Sequence, residues 1–302
     1  MNNKFIENLR KKKCDKITTN LEKKKRDKFI ILKGSGGITH MLSSIVYTIK
    51  LAIKYRYFLI IDVCNYSSFL VPFSDFFYLK NVKYSEAYHI ISNTYKYYDM
   101  SVSECQNSCK FKYDPKYHYI CNDKYVINKN SVQQQVETQK DIVMYIGAGD
   151  FDFLNMSKYI RINKNILKYI KSRKISNKYI GIHYRNTDIQ TNFDETVQKM
   201  QLTLGDNKEI NTIYFATDHF DSIQKFQDTF AKYNFIYYTV PYKNIRTNIH
   251  YSNPNKKELH TNLLLDMYLL TYSNVFIGSM RSGITCWVEY MRRNKDFRFF
   301  EE

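Results

Sequence analysis

"KFIILKGSGGITHMLSSIVYTIKLAIKYRYFLIIDV", Lys28 to Val63, carries the clearest local architecture in this 302-residue chain. The apolar run Phe29 to Leu32 predicts a buried strand, and Gly34, Ser35, Gly36 and Gly37 interrupt it as a loop. Apolar residues then recur at Met41, Leu42, Ile45, Ile49, Ala52 and Ile53, the spacing of one helix face over about 16 residues. Tyr57 to Val63 predicts a second buried strand. Strand, helix and strand in so short a stretch form a βαβ unit, and the crossover requires parallel strands.

Outward from this unit the same alternation returns in the second half. "DIVMYIG" (Asp141 to Gly147) predicts a strand, and "NKNILKYIKSRKISN" (Asn163 to Asn177) a basic helix and linker that mark a domain boundary. Strand Tyr179 to His183, a helix near Glu195 to Leu204, strand Thr212 to Ala216 and a helix from Ser222 to Tyr233 follow. Strand Phe235 to Thr239, helix His260 to Leu270, strand Asn274 to Ile277 and a helix after Ser282 complete the series. The expected fold class is α/β, with two Rossmann-like domains built on parallel sheets. The expected organisation is a basic arm over 1–27, one domain over 28–172 and another over 173–302. Between Ser67 and Asn130 the Tyr-rich sequence gives little periodicity to read.

The formal net charge is +17, an attractive field for anions such as nucleic acid, anionic lipid or phosphorylated small molecules. Its densest part is the arm, where Lys11, Lys12, Lys13, Lys23, Lys24, Lys25 and Arg26 read as a solvated charge block. No apolar run reaches the roughly 18–20 residues that span a bilayer. The first residues lack the apolar core of a secretory signal, so a cytoplasmic location is expected. Cys105, Cys109, His118 and Cys121 are possible zinc ligands, but their spacing is irregular and free thiols are the simpler reading.

Three strand ends carry chemistry. In open parallel sheets, ligands bind beyond the carboxyl ends of the strands. "YIGIHYRNTD" (Tyr179 to Asp188) ends a core-like strand on His183, Arg185 and Asp188; the arginine fork suits phosphate oxygens. "YFATDHF" (Tyr214 to Phe220) ends on Thr217, Asp218 and His219, residues that can equally cap a helix. "NVFIGSMRSGITCWVEYM" (Asn274 to Met291) places Gly278, Ser279, Ser282 and Gly283 between a strand and a helix, a seat for an anion on exposed N–H groups. The first glycine loop does not fit a dinucleotide fingerprint with Asp62 as the ribose-binding acid, because Thr39 stands where a third small residue is needed.

In this order the segments resemble the superfamily of α1,2-, α1,6- and protein O-fucosyltransferases, most closely the α1,6 branch with the rhizobial chitin-oligosaccharide enzymes. "GSGGITHMLSSIVYTIKLAIKYRYFLIID" is similar to the family's first motif and "GIHYRNTD" to its His-x-Arg-Arg-x-Asp signature. "IYFATD" and "LLLDMYLLTYSNVFIGSMRSGITCWVEYM" match its later blocks. The resemblance implies a GT-B-like architecture, two Rossmann-like domains facing across a cleft, with the first on the acceptor side and the second binding the donor. It implies transfer of fucose from GDP-fucose to a glycan or glycoprotein acceptor, with inversion and without metal or other cofactor. It places Arg185 on the donor's β-phosphate, His183 and Asp266 at the guanosine end, and Asp218, Ser279, Ser282 and Gly34 to Gly37 around the donor. An aspartate can accept from both N–H donors on guanine's Watson–Crick edge. No Asp-x-Asp pair is expected at a strand end, so no metal-dependent alternative is suggested.

The chain departs from the family pattern at four places. Asn186 replaces the second arginine, Ile189 a lysine, Phe193 a glutamate and His219 an acidic residue expected after "ATD". Asp194 and Glu195 are then the available carboxylates for a general base, with Asp194 expected to serve and Glu195 to point about 100° away. Two rivals stay close to this reading: a transferase for another GDP-hexose and a non-catalytic GDP-sugar-binding relative. A basic nucleic-acid-binding module is the weaker alternative, since the sequence holds no recognisable nucleic-acid motif.

Overall fold

The computed structural model describes residues 28–32, 37–61, 71–86, 118–122, 142–146, 152–187, 189–239, 241, 255–280, 282–294 and 298–301. The basic arm, Gly34, Ser35, Gly36, Asp62, Cys105, Cys109 and Asp188 lie outside them. Contacts divide the chain into two compact units, Met1–Arg161 and Ile162–Glu302.

The first unit opens with β1 (Phe29–Leu32), helix α1 (Ile38–Tyr55) and β2 (Phe58–Ile61), with β1 and β2 parallel. Helix α1 is buried almost all round, including Thr39, Ser43, Ser44 and Thr48. Its buried hydroxyls stay satisfied by bonding back one turn: Ser43 to the Thr39 carbonyl and Ser44 to that of His40, both 2.9 Å, and Thr48 to that of Ser44 at 3.0 Å. The helix stops at Arg56, in the left-handed region at φ 60°, whose N–H bonds the Ala52 carbonyl. Beyond it come the short α2 (Phe73–Phe76), β3 (Phe77–Leu79), β4 (Tyr84–Glu86), β5 (His118–Asn122) and β6 (Ile142–Ile146). The sheet order β4-β2-β1-β6-β5 is parallel throughout. The chain winds one way from β1 and returns on the other side as β6, so β1 ends at the switch point of this sheet. Helix α3 (Phe153–Tyr159) and β7 (Ile160–Ile162), paired with β3, follow.

The second unit begins with α4 (Lys164–Ser172), which buries Leu167 and Ile170 and turns its lysines to solvent. The sequence places the domain division after residue 172; here α4 packs on a helix of the second unit, so the division falls after Arg161. The elements that follow are β8 (Tyr179–Tyr184), α5 (Phe193–Asp206), β9 (Thr212–Thr217), α6 (Phe220–Thr229) and β10 (Asn234–Ile236). Then come α7 (Lys256–Tyr272), which α4 packs on, β11 (Val275–Gly278) and α8 (Gly283–Arg293). The sheet order is β10-β9-β8-β11, again all parallel. Every residue of β8 and β9 is buried, as their unbroken apolar runs require when helices cover both faces. Ile180, Ile182, Tyr184, Ile213, Phe215 and Phe226 form the centre of this core. Gly181 admits α7: a Cβ there would lie 2.8 Å from the Ser273 hydroxyl.

Among the described residues no helix is long and apolar enough to cross a membrane. None of their His, Cys, Asp and Glu side chains form a group that could hold a metal ion. The zinc reading falls largely outside these residues, since Cys105 and Cys109 are not among them.

Candidate functional site

From β8 the chain winds toward β9 and β10, then crosses back to place β11 on the other flank of β8. The loops after β8 and β11 therefore part in opposite directions, and a crevice must open between them. A cleft of about 460 Å³ lies there, with His183, Gly278 and Ser279 at its strand-end wall and Thr191, Glu195 and Lys199 opposite.

His183 is the last inward residue of β8, in register with Gly278. Its Nδ1 lies 2.9 Å from the Thr285 hydroxyl in the first turn of α8, which fixes the ring orientation. Burial first, and then the nearby Arg185 cation, pull its pKa down to about 3, so the imidazole is neutral. The approach of Thr285 depends on Gly278: a Cβ at that position would meet the Thr285 methyl at 2.4 Å.

Ser279 ties the two strand ends together. Its N–H and hydroxyl both donate to the His183 carbonyl, at 2.9 and 3.0 Å, and its oxygen accepts from the Arg185 N–H at 2.8 Å. Thr191 completes the knot, with its hydroxyl 2.6 Å from the Arg185 carbonyl and 2.8 Å from the Ser279 hydroxyl. The Tyr184 phenol donates to the Thr191 carbonyl at 2.9 Å. Ser279 thus shapes the loop after β8 with the same hydroxyl that the family resemblance assigns to the donor.

Arg185 leans toward β9, where its Nε sits 3.4 Å from an Asp218 oxygen. Asp218 also accepts from the Asn186 N–H at 2.8 Å and the Thr187 hydroxyl at 2.5 Å. The aspartate ending "YFATD" therefore orients the arginine and the loop behind it. Ser282, at the N-terminus of α8, is fully buried and its hydroxyl has no hydrogen-bond partner among the described residues. An orphaned buried hydroxyl costs roughly 1–3 kcal/mol, and a phosphate oxygen set on the helix N-terminus would satisfy it.

Asp266 sits in the interior. Its two oxygens accept from the phenol of Tyr214 and from the Thr239 hydroxyl, the latter at 2.8 Å. Burial raises its pKa to about 7, opposed by those two hydrogen bonds. Both oxygens already have protein donors, so a guanine edge would have to compete with Tyr214 and Thr239 for them.

The two candidate bases separate. Helix α5 starts at Phe193, capped by the Asn192 side chain, which accepts from the Glu195 N–H at 3.2 Å. That phase turns Glu195 into the cleft, whereas Asp194, the preceding residue on the helix, does not line it. Phe193 packs edge-on against Phe226 in the core, and Lys225 lies 3.6 Å above its ring. Ile189 lines the cleft. His219 bonds Ser222 at 2.9 Å and serves the start of α6. In the first unit only Gly37 of the glycine loop is described; its carbonyl begins α1 by accepting from the Met41 N–H at 3.0 Å. An Asp-x-Asp sequence does follow β6, at Asp150 and Asp152. Asp150 is outside the described residues, and Asp152 caps α3 and pairs with Lys50.

No protein-family model matches the chain, and no curated protein matches it by sequence. Solved structures do. The α1,6-fucosyltransferase NodZ soaked with GDP-fucose superposes with a TM-score of 0.56 at 13% identity, over 87% of this chain and 91% of that one. The Bradyrhizobium fucosyltransferase NodZ gives 0.55 at 13%, over 87% and 92%. POFUT1 in complex with GDP-fucose gives 0.52 at 9%, over 89% and 94%. The parallel-sheet α/β architecture of this chain is accordingly the GT-B-like fold of the fucosyltransferases NodZ and POFUT1.

Proposed function

We propose that the protein is a glycosyltransferase that moves fucose from GDP-fucose to a glycan or glycoprotein acceptor, inverting the anomeric carbon without a metal. The observation that carries this reading is the switch-point site of the second unit: Ser279 lines the cleft and holds the loop that carries Arg185, and the buried Ser282 hydroxyl stands at the N-terminus of α8 three residues on. A departing diphosphate gains negative charge, and a fixed cation with oriented N–H groups stabilises it as it forms. Neutral His183, locked by Thr285, offers a hydrogen bond without adding charge.

Glu195 is the general base in this scheme. It takes the proton of the acceptor hydroxyl as that oxygen bonds to the anomeric carbon, and the C–O bond to the β-phosphate breaks with its electron pair going to phosphate. Attack from the face opposite the leaving group inverts the centre. Ile189 in the cleft wall and Asn186 in the loop after β8, where the resemblance expects a lysine and a second arginine, favour a second reading, a GDP-sugar-binding relative without turnover.

GDP titration with a thermal-shift readout tests the donor site. GDP at 100 times its Kd should stabilise the wild type by about 2.7 kcal/mol, and Arg185→Ala should respond much less. An equal response in both proteins removes Arg185 from the site, and no response in either removes the GDP-sugar reading.

A further inference from the structure

Glu195 and Lys199 lie one turn apart on α5 and both line the cleft. Glutamate four residues before lysine is the spacing that closes an ion pair on a helix surface. Elsewhere in this unit that spacing does close: Glu289 and Arg293 meet at 3.5 Å, and Gln224 bonds Asp228 at 2.7 Å. The side chains of Glu195 and Lys199 form no ion pair or hydrogen bond, with each other or with any other described residue. Both charges are therefore presented to whatever enters the cleft. Gln190, Thr191 and Asn192 add amide and hydroxyl groups beside them, and Ile277 and Met280 add apolar surface. Hydroxyl-binding groups over an apolar wall suit a sugar ring, and the volume suits a small ligand.

The spacing narrows the ligand further. Residues four apart on a helix hold their Cβ atoms about 5–6 Å from each other, close to the span of one pyranose ring. A neutral sugar covering Lys199 would strip water from the ammonium and return no countercharge, whereas an anionic substituent offsets that loss. The chain's net charge of +17 also draws anions toward it. We infer that the Glu195–Lys199 side of the cleft, away from the strand-end wall of His183 and Ser279, is an acceptor subsite for an anionic sugar unit, bearing a carboxylate or phosphate held by Lys199 while a hydroxyl of the same ring faces Glu195. The inference rests on the glycosyltransferase reading and names its substrate class.

The test is a titration of the full chain with glucose, glucuronate, glucose 6-phosphate and inorganic phosphate, followed by calorimetry or ligand-observed NMR. At least one anionic sugar should bind about tenfold tighter than glucose, the scale of one charge-assisted hydrogen bond. The stronger of the two anionic arms tells carboxylate from phosphate. Lys199→Met should bring the anionic sugars to within about twofold of glucose, and Lys199→Arg should keep the preference. Equal binding of glucose and both anionic sugars overturns the inference, as does a preference that survives Lys199→Met or the absence of any sugar binding. Inorganic phosphate binding as tightly as glucose 6-phosphate also overturns it, because the cleft would then read a bare anion. GDP titration of the wild type, run alongside, keeps the two readings apart. A GDP response without anionic preference removes only this subsite. A Lys199-dependent preference without a GDP response keeps the anionic-sugar site but removes the donor assignment, and with it the acceptor role.

Discussion

Glu195 owes its place to the residue that caps its helix. Asn192 starts α5 early enough to rotate Glu195 into the cleft and leave Asp194 out of its lining. Read from sequence alone, a helix beginning at Glu195 gives Asp194 the better claim; the earlier start reverses the pair. Glu195→Gln should therefore lower fucosyl transfer by roughly 10² to 10⁴, the usual range for a general base, while GDP affinity stays within about twofold. Asp194→Asn is the matched control and should retain most of its turnover. Transfer and donor hydrolysis measured together for both variants check this, and full activity in Glu195→Gln would place the base elsewhere. His183, Arg185, Asp218 and Ser279 were legible because a buried strand seldom ends on polar residues unless they serve a site or a cap. Thr191 and Thr285 were not. Their partners lie 88 and 102 residues away, at Ser279 and His183, and a lone threonine carries no local sign of such a bond.

At the scale of elements, the βαβ unit and the second-half alternation were readable because parallel strands buried on both faces appear as unbroken apolar runs. The helix predicted after the glycine loop emerges as α1, and the strand predicted from Asp141 as β6. The short elements α2, β3, β4 and β5 escaped reading, since tyrosines suit a strand, a rim or a core equally and supply no period. How closely two elements approach was also hidden, as β11 and α8 illustrate. Gly278 lets the first turn of α8 close on the strand so that Thr285 reaches His183. Gly278→Ala puts a methyl 2.4 Å from the Thr285 methyl and 2.7 Å from the Phe276 ring. Overpacking of this kind costs about 1–3 kcal/mol, and the displacement of α8 should also weaken GDP binding. Adding Thr285→Ala should recover part of the stability but not the binding, because His183 then loses its hydroxyl partner. Denaturant unfolding and GDP titration of the single and double variants check this; a fully additive cycle would show that the two residues do not meet.

At the scale of the whole molecule, two buried titratable groups oppose each other in how stability follows pH. His183 is held near 3 against an ordinary 6.5, so the unfolded chain takes up this proton first as pH falls. Its contribution is complete above 6.5 and is lost as pH drops from there. Asp266 is held near 7 against an ordinary 3.8, so the folded chain keeps a proton that the unfolded chain has released. Its contribution is complete below 3.8 and is lost as pH rises toward 7. Between about pH 4 and 6.5 the two slopes have opposite sign, and in the wild type they partly cancel. Asp266→Asn removes the falling slope, keeps the side chain's size and leaves an amide to bond Tyr214 and Thr239. The variant's melting temperature should therefore rise more steeply with pH than the wild type's between 4 and 6.5. Above pH 7, where the wild type carries a buried carboxylate, the variant should be the more stable protein. Surface carboxylates contribute equally to both, so the difference between the two melting curves isolates Asp266. Profiles that superimpose from pH 4 to 8 would mean that Asp266 titrates alike in the folded and unfolded chain, and that its bonds to Tyr214 and Thr239 offset its burial in full.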